Sequence, residues 1–197
     1  FDGLHYSGAG QSLLADRVFE VYKKLLKVGA EDVTVCNLAL SNLGDAARVT
    51  SISPPDGSTQ SVLCAQYFDI ALTSILEQHP WDFALRRVDL VAREVETGRA
   101  DWQYAYEYPE DAILILDVLA TDTTNDVVLA GQRVGQPFNV EVTQDGERVI
   151  YTNVANAAVR YTSKVIDSSR WTSAFKTALS WKLAAMLAGP IVKGEEG

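Results

Sequence analysis

The sequence has little of the residue types that build most catalytic and metal sites. It contains two cysteines, two histidines and one methionine in 197 residues. Two cysteines are too few for a disulfide framework, and no Cys/His spacing suits zinc. We therefore expect no catalytic residue, no metal and no cofactor. Cys36 and Cys64 fall on apolar helical faces, which is typical of reduced core cysteines.

Long hydrophobic runs and clustered positive charge are also missing. No apolar run approaches the roughly 18 residues of a membrane span, and no secretory signal is visible, so we expect no membrane association. The net charge is −9, and residues 31–98 and 99–164 each carry ten acidic side chains. Nucleic-acid binding needs clustered Lys and Arg on the phosphates, so we expect no specific DNA binding.

The hydrophobic pattern predicts an α+β fold. Apolar residues recur at helical spacing in residues 11–28, 32–43, 59–79 and 169–188, which predicts four helices. Between residues 85 and 166 the pattern alternates instead, which favours antiparallel strands. Because helices and strands occupy separate blocks, we predict a helical lobe with an inserted antiparallel β lobe.

The predicted domains follow from these blocks. Residues 1–30 are expected to form an N-terminal arm and helix. The helical lobe comprises residues 31–84 and 167–190, the β lobe spans residues 85–166, and residues 191–197 form a tail without pattern.

Turn and capping signals set the predicted ends of the elements. Asp32 or Thr34 is predicted to cap the second helix, because a side-chain oxygen there can accept bonds from free N–H groups. Ser168 or Ser169 is predicted to cap the last helix, and Gly189-Pro190 to end it.

One hairpin is also predicted. Residues 139–152 are expected to turn at Asp145-Gly146, with Val140 and Val142 facing Val149 and Tyr151.

The first predicted helix lies outside the otherwise self-consistent unit that begins near residue 31. Its apolar stripe consists of Leu14, Val18, Val21 and Leu25. The stripe can pack into the core of its own chain or dock on a neighbouring subunit. We take these four residues as candidate subunit contacts.

Paired carboxylates leave an enzymatic alternative open. A glycosidase needs two carboxyl groups across a cleft that binds sugar. The candidate carboxylates are Glu94, Glu96, Glu107, Glu110 and Asp111. A row of aromatic residues that could stack on sugars runs from Trp102 to Tyr108. In an acidic protein, the same residues equally suit a solvated strand face, which is the interpretation we favour.

Two stretches carry a resemblance to a known family. The first, VCNLALSNLGDAARVTSI, contains Ala39, Leu40, Leu43 and Gly44. The second, SVLCAQYFDIALTSILEQHPWDFALRRVDL, ends with the motif residues His79, Pro80, Trp81, Phe83, Ala84, Arg86 and Arg87. Together they resemble the head-to-tail adaptor family of short-tailed bacteriophages, also called tail tubular protein A. The Pro109-Glu110-Asp111 turn, the tyrosine strand and residues 178–184 also look similar.

The resemblance covers residues 31–190 and implies a structural virion protein rather than an enzyme. It implies a ring, of twelve copies in relatives, that joins the portal protein to the tail nozzle protein and lines the DNA channel. The expected location is the head–tail junction of a virion assembled in the cytoplasm of a bacterial host. The region past Gly189, with Ile191 and Val192, is expected to touch the portal. A virion-associated glycan hydrolase remains the alternative.

Overall fold

The structure is a computed structural model, and the chain divides into two compact units. One unit comprises Phe1–Ile75 with Asp167–Gly197, and the other comprises Leu76–Ile166. The sequence places the first of these boundaries at residues 84/85. The structure describes residues 31–94, 101–121, 128–129, 132–133, 135–164 and 167–192.

The described elements confirm the α+β fold. The helices are α1 (residues 31–42), α2 (Thr59–Gln78) and α3 (Ser173–Ile191). The strands, all between α2 and α3, are β1 (Leu85–Asp89), β2 (Ala92–Arg93), β3 (Tyr104–Glu107), β4 (Ala112–Ala120), β5 (Val128–Leu129), β6 (Gln132–Arg133), β7 (Phe138–Val142), β8 (Arg148–Thr152) and β9 (Ala157–Ser163). The predicted helix at residues 11–28 lies outside the described residues.

The helical unit packs α3 against both α1 and α2, as the sequence predicts. The Lys176 ammonium lies 2.5 Å from a carboxylate oxygen of Glu31 in α1. The Phe68 ring of α2 stacks on Trp171, just before α3, with ring centroids 6.4 Å apart. The buried face of α3 is a helical stripe of Phe175, Leu179, Leu183 and Leu187. Burying this apolar stripe stabilises the three-helix arrangement.

The predicted start of the last helix is wrong. Ser168 and Ser169 lie in a short 3₁₀ turn, because the Asp167 carboxylate accepts the Ser169 N–H at 3.0 Å. The α-helix begins only at Ser173, where the Thr172 hydroxyl oxygen accepts the Phe175 N–H at 3.2 Å. The N-cap is therefore Thr172.

The predicted end of the last helix is also wrong. α3 continues through Gly189 and Pro190 to Ile191, and the Val192 N–H donates to Ala188 O at 2.9 Å. Proline disfavours helix in the residue before it chiefly through contact with that residue's side chain. Gly189 has no side chain, so the last turn forms. Ile191 and Val192 thus belong to the helix end rather than to a tail, and residues 193–197 lie outside the described part.

The β unit contains antiparallel sheets. One sheet has the strand order β1-β9-β4, and another has the order β2-β3-β8-β7. β5 and β6 pair with each other. Side chains of both larger sheets form one buried cluster: Tyr106, Ala112, Ile115, Val118, Ile150, Ala157, Val159 and Tyr161. The core of this unit therefore lies between its two larger sheets.

The predicted hairpin forms from β7 and β8, but its register differs. Val140 lies opposite Ile150. The expected facing of Val140 and Val142 with Val149 and Tyr151 is therefore wrong by one residue.

The loop of the hairpin explains the shift in register. The Thr143 N–H donates to Glu147 O at 2.8 Å, which leaves the three residues 144–146 in the loop. Gly146 has a φ of 85°, in the left-handed region that the last residue of such a loop adopts. A two-residue turn at Asp145-Gly146 would have given the other register.

Candidate functional site

The motif residues from His79 onward connect α2 to β1. The rings of His79 and Trp81 meet edge to face with centroids 4.8 Å apart, and Trp81 stacks on Phe83 at 6.3 Å. Pro80 follows the end of α2, since proline cannot continue the helical hydrogen bonds. The three rings thus form a short aromatic row, of which Trp81 and Phe83 are half-buried.

The motif's first arginine contacts the acidic turn that precedes β4. Arg86 Nε lies 3.7 Å from Asp111 Oδ2. Tyr161 donates a hydrogen bond to Asp111 Oδ1 at 2.8 Å, and Ser163 donates to Oδ2 at 2.6 Å. Arg86 and Tyr161 are direct partners in the β1–β9 register. The register of the sheet therefore assembles this polar cluster, which we name the Asp111 node.

Opposing effects act on the pKa of Asp111. Burial raises it, but the hydrogen bonds from Ser163 and Tyr161 and the charge of Arg86 together lower it below its usual value. Burial and the neighbouring Asp111 carboxylate raise the pKa of Tyr161 to about 12. The carboxylate is thus held ionised and the phenol protonated at neutral pH.

The motif's second arginine lies opposite another arginine. Arg87 pairs in register with Arg160 of β9. Arg160 in turn donates a hydrogen bond from Nε to Asp117 Oδ2 at 2.8 Å. A Cβ added at Gly135 would lie only 2.7 Å from Asp117 Oδ1, so this loop needs glycine for its close approach to β4.

The carboxylates of the glycosidase alternative have different environments. Glu94, Glu107 and Glu110 are exposed, and Glu96 lies outside the described residues. The Asp111 carboxylate is part of the Asp111 node. A glycosidase general acid needs a raised pKa, and the pKa of Asp111 is lowered.

The predicted contact residues are covered unevenly by the structure. Leu14, Val18, Val21 and Leu25 lie outside the described residues. Ile191 and Val192 are partly exposed at the end of α3. Their position leaves them accessible to a partner at the helix terminus.

Asp32 occupies a site that the sequence interpretation missed. It lies within α1 rather than capping it, with only 8% of its surface exposed. Among the described residues, none donates a hydrogen bond to its buried Oδ1. Burial, and then the charges of Asp69 and Glu31, raise the pKa of Asp32 to about 7. Its position four residues before the buried Cys36 could have indicated a buried location.

The two cysteines are both buried and free, as predicted. A hydrogen bond with Cys64, and then burial, raise the pKa of the Cys36 thiol. The pair therefore stays protonated and unreactive inside the helical unit.

Two helices carry large apolar side chains on exposed faces. On α2, Val62 is 50% and Ile70 57% exposed, and Asp69 shares that face. On α3, Trp181 is 58% exposed. Exposed apolar faces of this kind mark candidate contact surfaces.

In the part of the chain that the structure describes, no group of three or more His, Cys, Asp or Glu side chains could hold a metal ion. Within the same residues, no helix is long and apolar enough to cross a membrane.

Comparison with known proteins adds no relative. Neither a scan against protein-family models nor a search of curated proteins returned a match for this chain.

Proposed function

We propose that the protein is a structural adaptor of a bacteriophage head-to-tail connector. It assembles as a ring, of twelve copies as the resemblance implies, between the portal protein and the tail nozzle protein. The ring lines the channel through which DNA passes at the head–tail junction of the virion. The protein has no catalytic role in this proposal.

The Asp111 node is the observation that carries the proposal. The resemblance rests on the His79–Arg87 motif and, separately, on the Pro109-Glu110-Asp111 turn. These stretches are distant in sequence, yet Arg86 of the first lies 3.7 Å from Asp111 of the second. Two resembling stretches in contact support one shared architecture better than two independent short matches do.

The charge of the chain suits a DNA channel. With a net charge of −9, each copy adds to a negative field that repels the phosphate backbone. DNA could then pass without adhering to the wall.

The surfaces of the ring follow from its symmetry. A closed ring uses a heterologous contact, in which two different patches of each copy meet. We assign residues 1–28, with the stripe Leu14–Leu25, to the contact with a neighbouring copy. The α3 end, with Ile191 and Val192, is assigned to the portal, and loops of the β unit to the nozzle.

Electron microscopy of the protein mixed with its portal ring tests this function. We expect a second ring on one face of the portal. A variant lacking residues 1–28 should form fewer rings while its circular dichroism spectrum keeps the helix and strand signals. Portals that remain bare at saturating protein concentration would contradict the adaptor function.

A further inference from the structure

We propose that Asp32, Asp69 and Ile70 of one copy form the seat for residues 11–28 of the neighbouring copy. We name this surface the α1–α2 seat. The proposal deepens the proposed function and rests on it, because it assigns the contact that closes the ring.

The acidic part of the seat requires a positive partner. Asp32 is nine-tenths buried, and its Oδ1 has no hydrogen-bond donor among the described residues. Asp69 and Glu31 add negative charge around it, and Lys176 pairs with Glu31. A buried carboxylate without a partner is costly, and a nearby cation removes most of that cost.

An ammonium or guanidinium group fits this site better than a metal ion. The residues that the structure describes form no cluster of three or more groups able to hold a metal. One cationic side chain can donate a hydrogen bond to the free oxygen of Asp32 without further ligands.

The apolar part of the seat lies on the same side of α2 as Asp69. Val62, Asp69 and Ile70 are spaced at i, i+7 and i+8, so they share one exposed helical face. Half or more of the Val62 and Ile70 surfaces are exposed. This face therefore offers apolar contact bordered by negative charge.

Residues 11–28 have the complementary chemistry. Four basic residues, Arg17, Lys23, Lys24 and Lys27, stand against two acidic ones in this segment. Its apolar stripe, Leu14–Leu25, matches an apolar helix face. The segment can thus supply both the cation for Asp32 and an apolar surface for Ile70.

The length of the segment suits a contact between copies. Eighteen helical residues extend about 27 Å, which is about the width of a small domain. The segment joins α1 at residue 31, so it can leave its own helical unit and reach the next one. Each copy then has one donor segment and one seat, as a heterologous ring requires.

Cross-linking of two full-length variants tests the proposal. One variant carries Tyr22→Cys in the segment, and the other carries Gln66→Cys on the α2 face. Both substitutions leave the proposed charged and apolar contacts intact. The native Cys36 and Cys64 are fully buried and should not react with a short bismaleimide. Val142→Cys, at an exposed position in the β unit, replaces Gln66→Cys in the control mixture.

We expect a dimer of the two chains from the Tyr22→Cys and Gln66→Cys mixture and only background from the control. A doubly substituted chain that cross-links only within itself would overturn the proposal in favour of docking on the same copy. Equal yields with Val142→Cys, or no cross-link, would overturn it too. Native mass spectrometry of the same samples separates the two proposals, because rings without the cross-link refute only the seat.

Charge reversal provides a second measure. Asp69→Lys should lower the yield of the mixed dimer about tenfold, through loss of attraction and added repulsion. Asp145→Lys, the same reversal in the exposed β7–β8 loop, is the matched control and should leave the yield unchanged. Equal effects of both reversals would indicate nonspecific electrostatics and contradict the seat.

Discussion

Asp32 in the helical unit and Asp111 in the β unit are aspartates in opposite situations. Asp111 receives hydrogen bonds from Tyr161 and Ser163 and lies beside Arg86. Asp32 has a buried oxygen with no donor among the described residues. The pKa of Asp111 is lowered, whereas burial raises that of Asp32 to about 7.

The difference shows how each unit satisfies its polar groups. In the β unit, the strand register itself brings partners to the carboxylate. In the helical unit, α1 buries Asp32 beside Asp69 and Glu31, which are both acidic. A polar group left unpaired within one chain is where we look for a partner.

The largest expected effect is the pH dependence that Asp32 creates. Its pKa in the folded state lies above the usual 3.8, so its stabilising contribution is complete below that value and is lost as pH rises through about 7. The loss amounts to up to roughly 4 kcal/mol of unfolding free energy. Urea unfolding between pH 4 and 8 should show a weaker decline in Asp32→Asn. The exposed-loop control Asp145→Asn should decline as the wild type does, and equal slopes in all three proteins would contradict the buried state of Asp32.

Removing the charge of Asp111 should have the next largest effect, with the opposite dependence on pH. Asp111→Asn should lower the unfolding free energy at pH 7 by roughly 3 kcal/mol, since it weakens charged hydrogen bonds. The pKa of Asp111 is lowered, so its contribution is present above its ordinary pKa and is lost as pH falls. The deficit of the variant should therefore shrink in acid. A deficit independent of pH would show that the carboxylate's charge does not stabilise the node.

A methyl group at Gly135 should have a smaller effect. The added Cβ would meet Asp117 Oδ1 at 2.7 Å and Asp117 Cβ at 3.2 Å. Because Arg160 holds Asp117, the loop must shift, at a cost of roughly 2 kcal/mol. Thermal unfolding of Gly135→Ala measures this, with Gly189→Ala as a comparison where the added Cβ meets no atom within 4 Å. Equal melting temperatures for Gly135→Ala and the wild type would contradict the close approach.

The smallest expected effect tests where α3 begins. Thr172→Ala removes the oxygen that accepts the Phe175 N–H and should cost about 1 kcal/mol. Ser173→Ala, at the next residue, leaves that bond intact and is the control. If urea unfolding shows the same small change for both, Thr172 is not the cap.

Much of the fold could be predicted because its signals are local. The apolar stripe of α2 and the proline after it gave the bounds of that helix within one residue. The end of α3 could not be predicted in the same way, because Gly189 cancels a proline signal that is otherwise strong. The register of β7 and β8 depended on one loop residue, which the pattern of Val140 and Val142 does not determine.

The polar sites were harder to predict, because they depend on distant residues. Asp111 and Tyr161 meet only through strand pairing, so their contact is invisible in either stretch alone. Asp32 looked like a helix cap, although its position on the stripe of Cys36 pointed inward. Sequence identified the aromatic motif His79–Phe83, but the rings' stacking required the structure.

Native mass spectrometry of the full chain, alone and mixed with its portal protein, tests the adaptor function most directly. The adaptor function predicts a closed ring of twelve copies, or a monomer that assembles into such a ring only on the portal. A monomer whose mass distribution the portal leaves unchanged would contradict it.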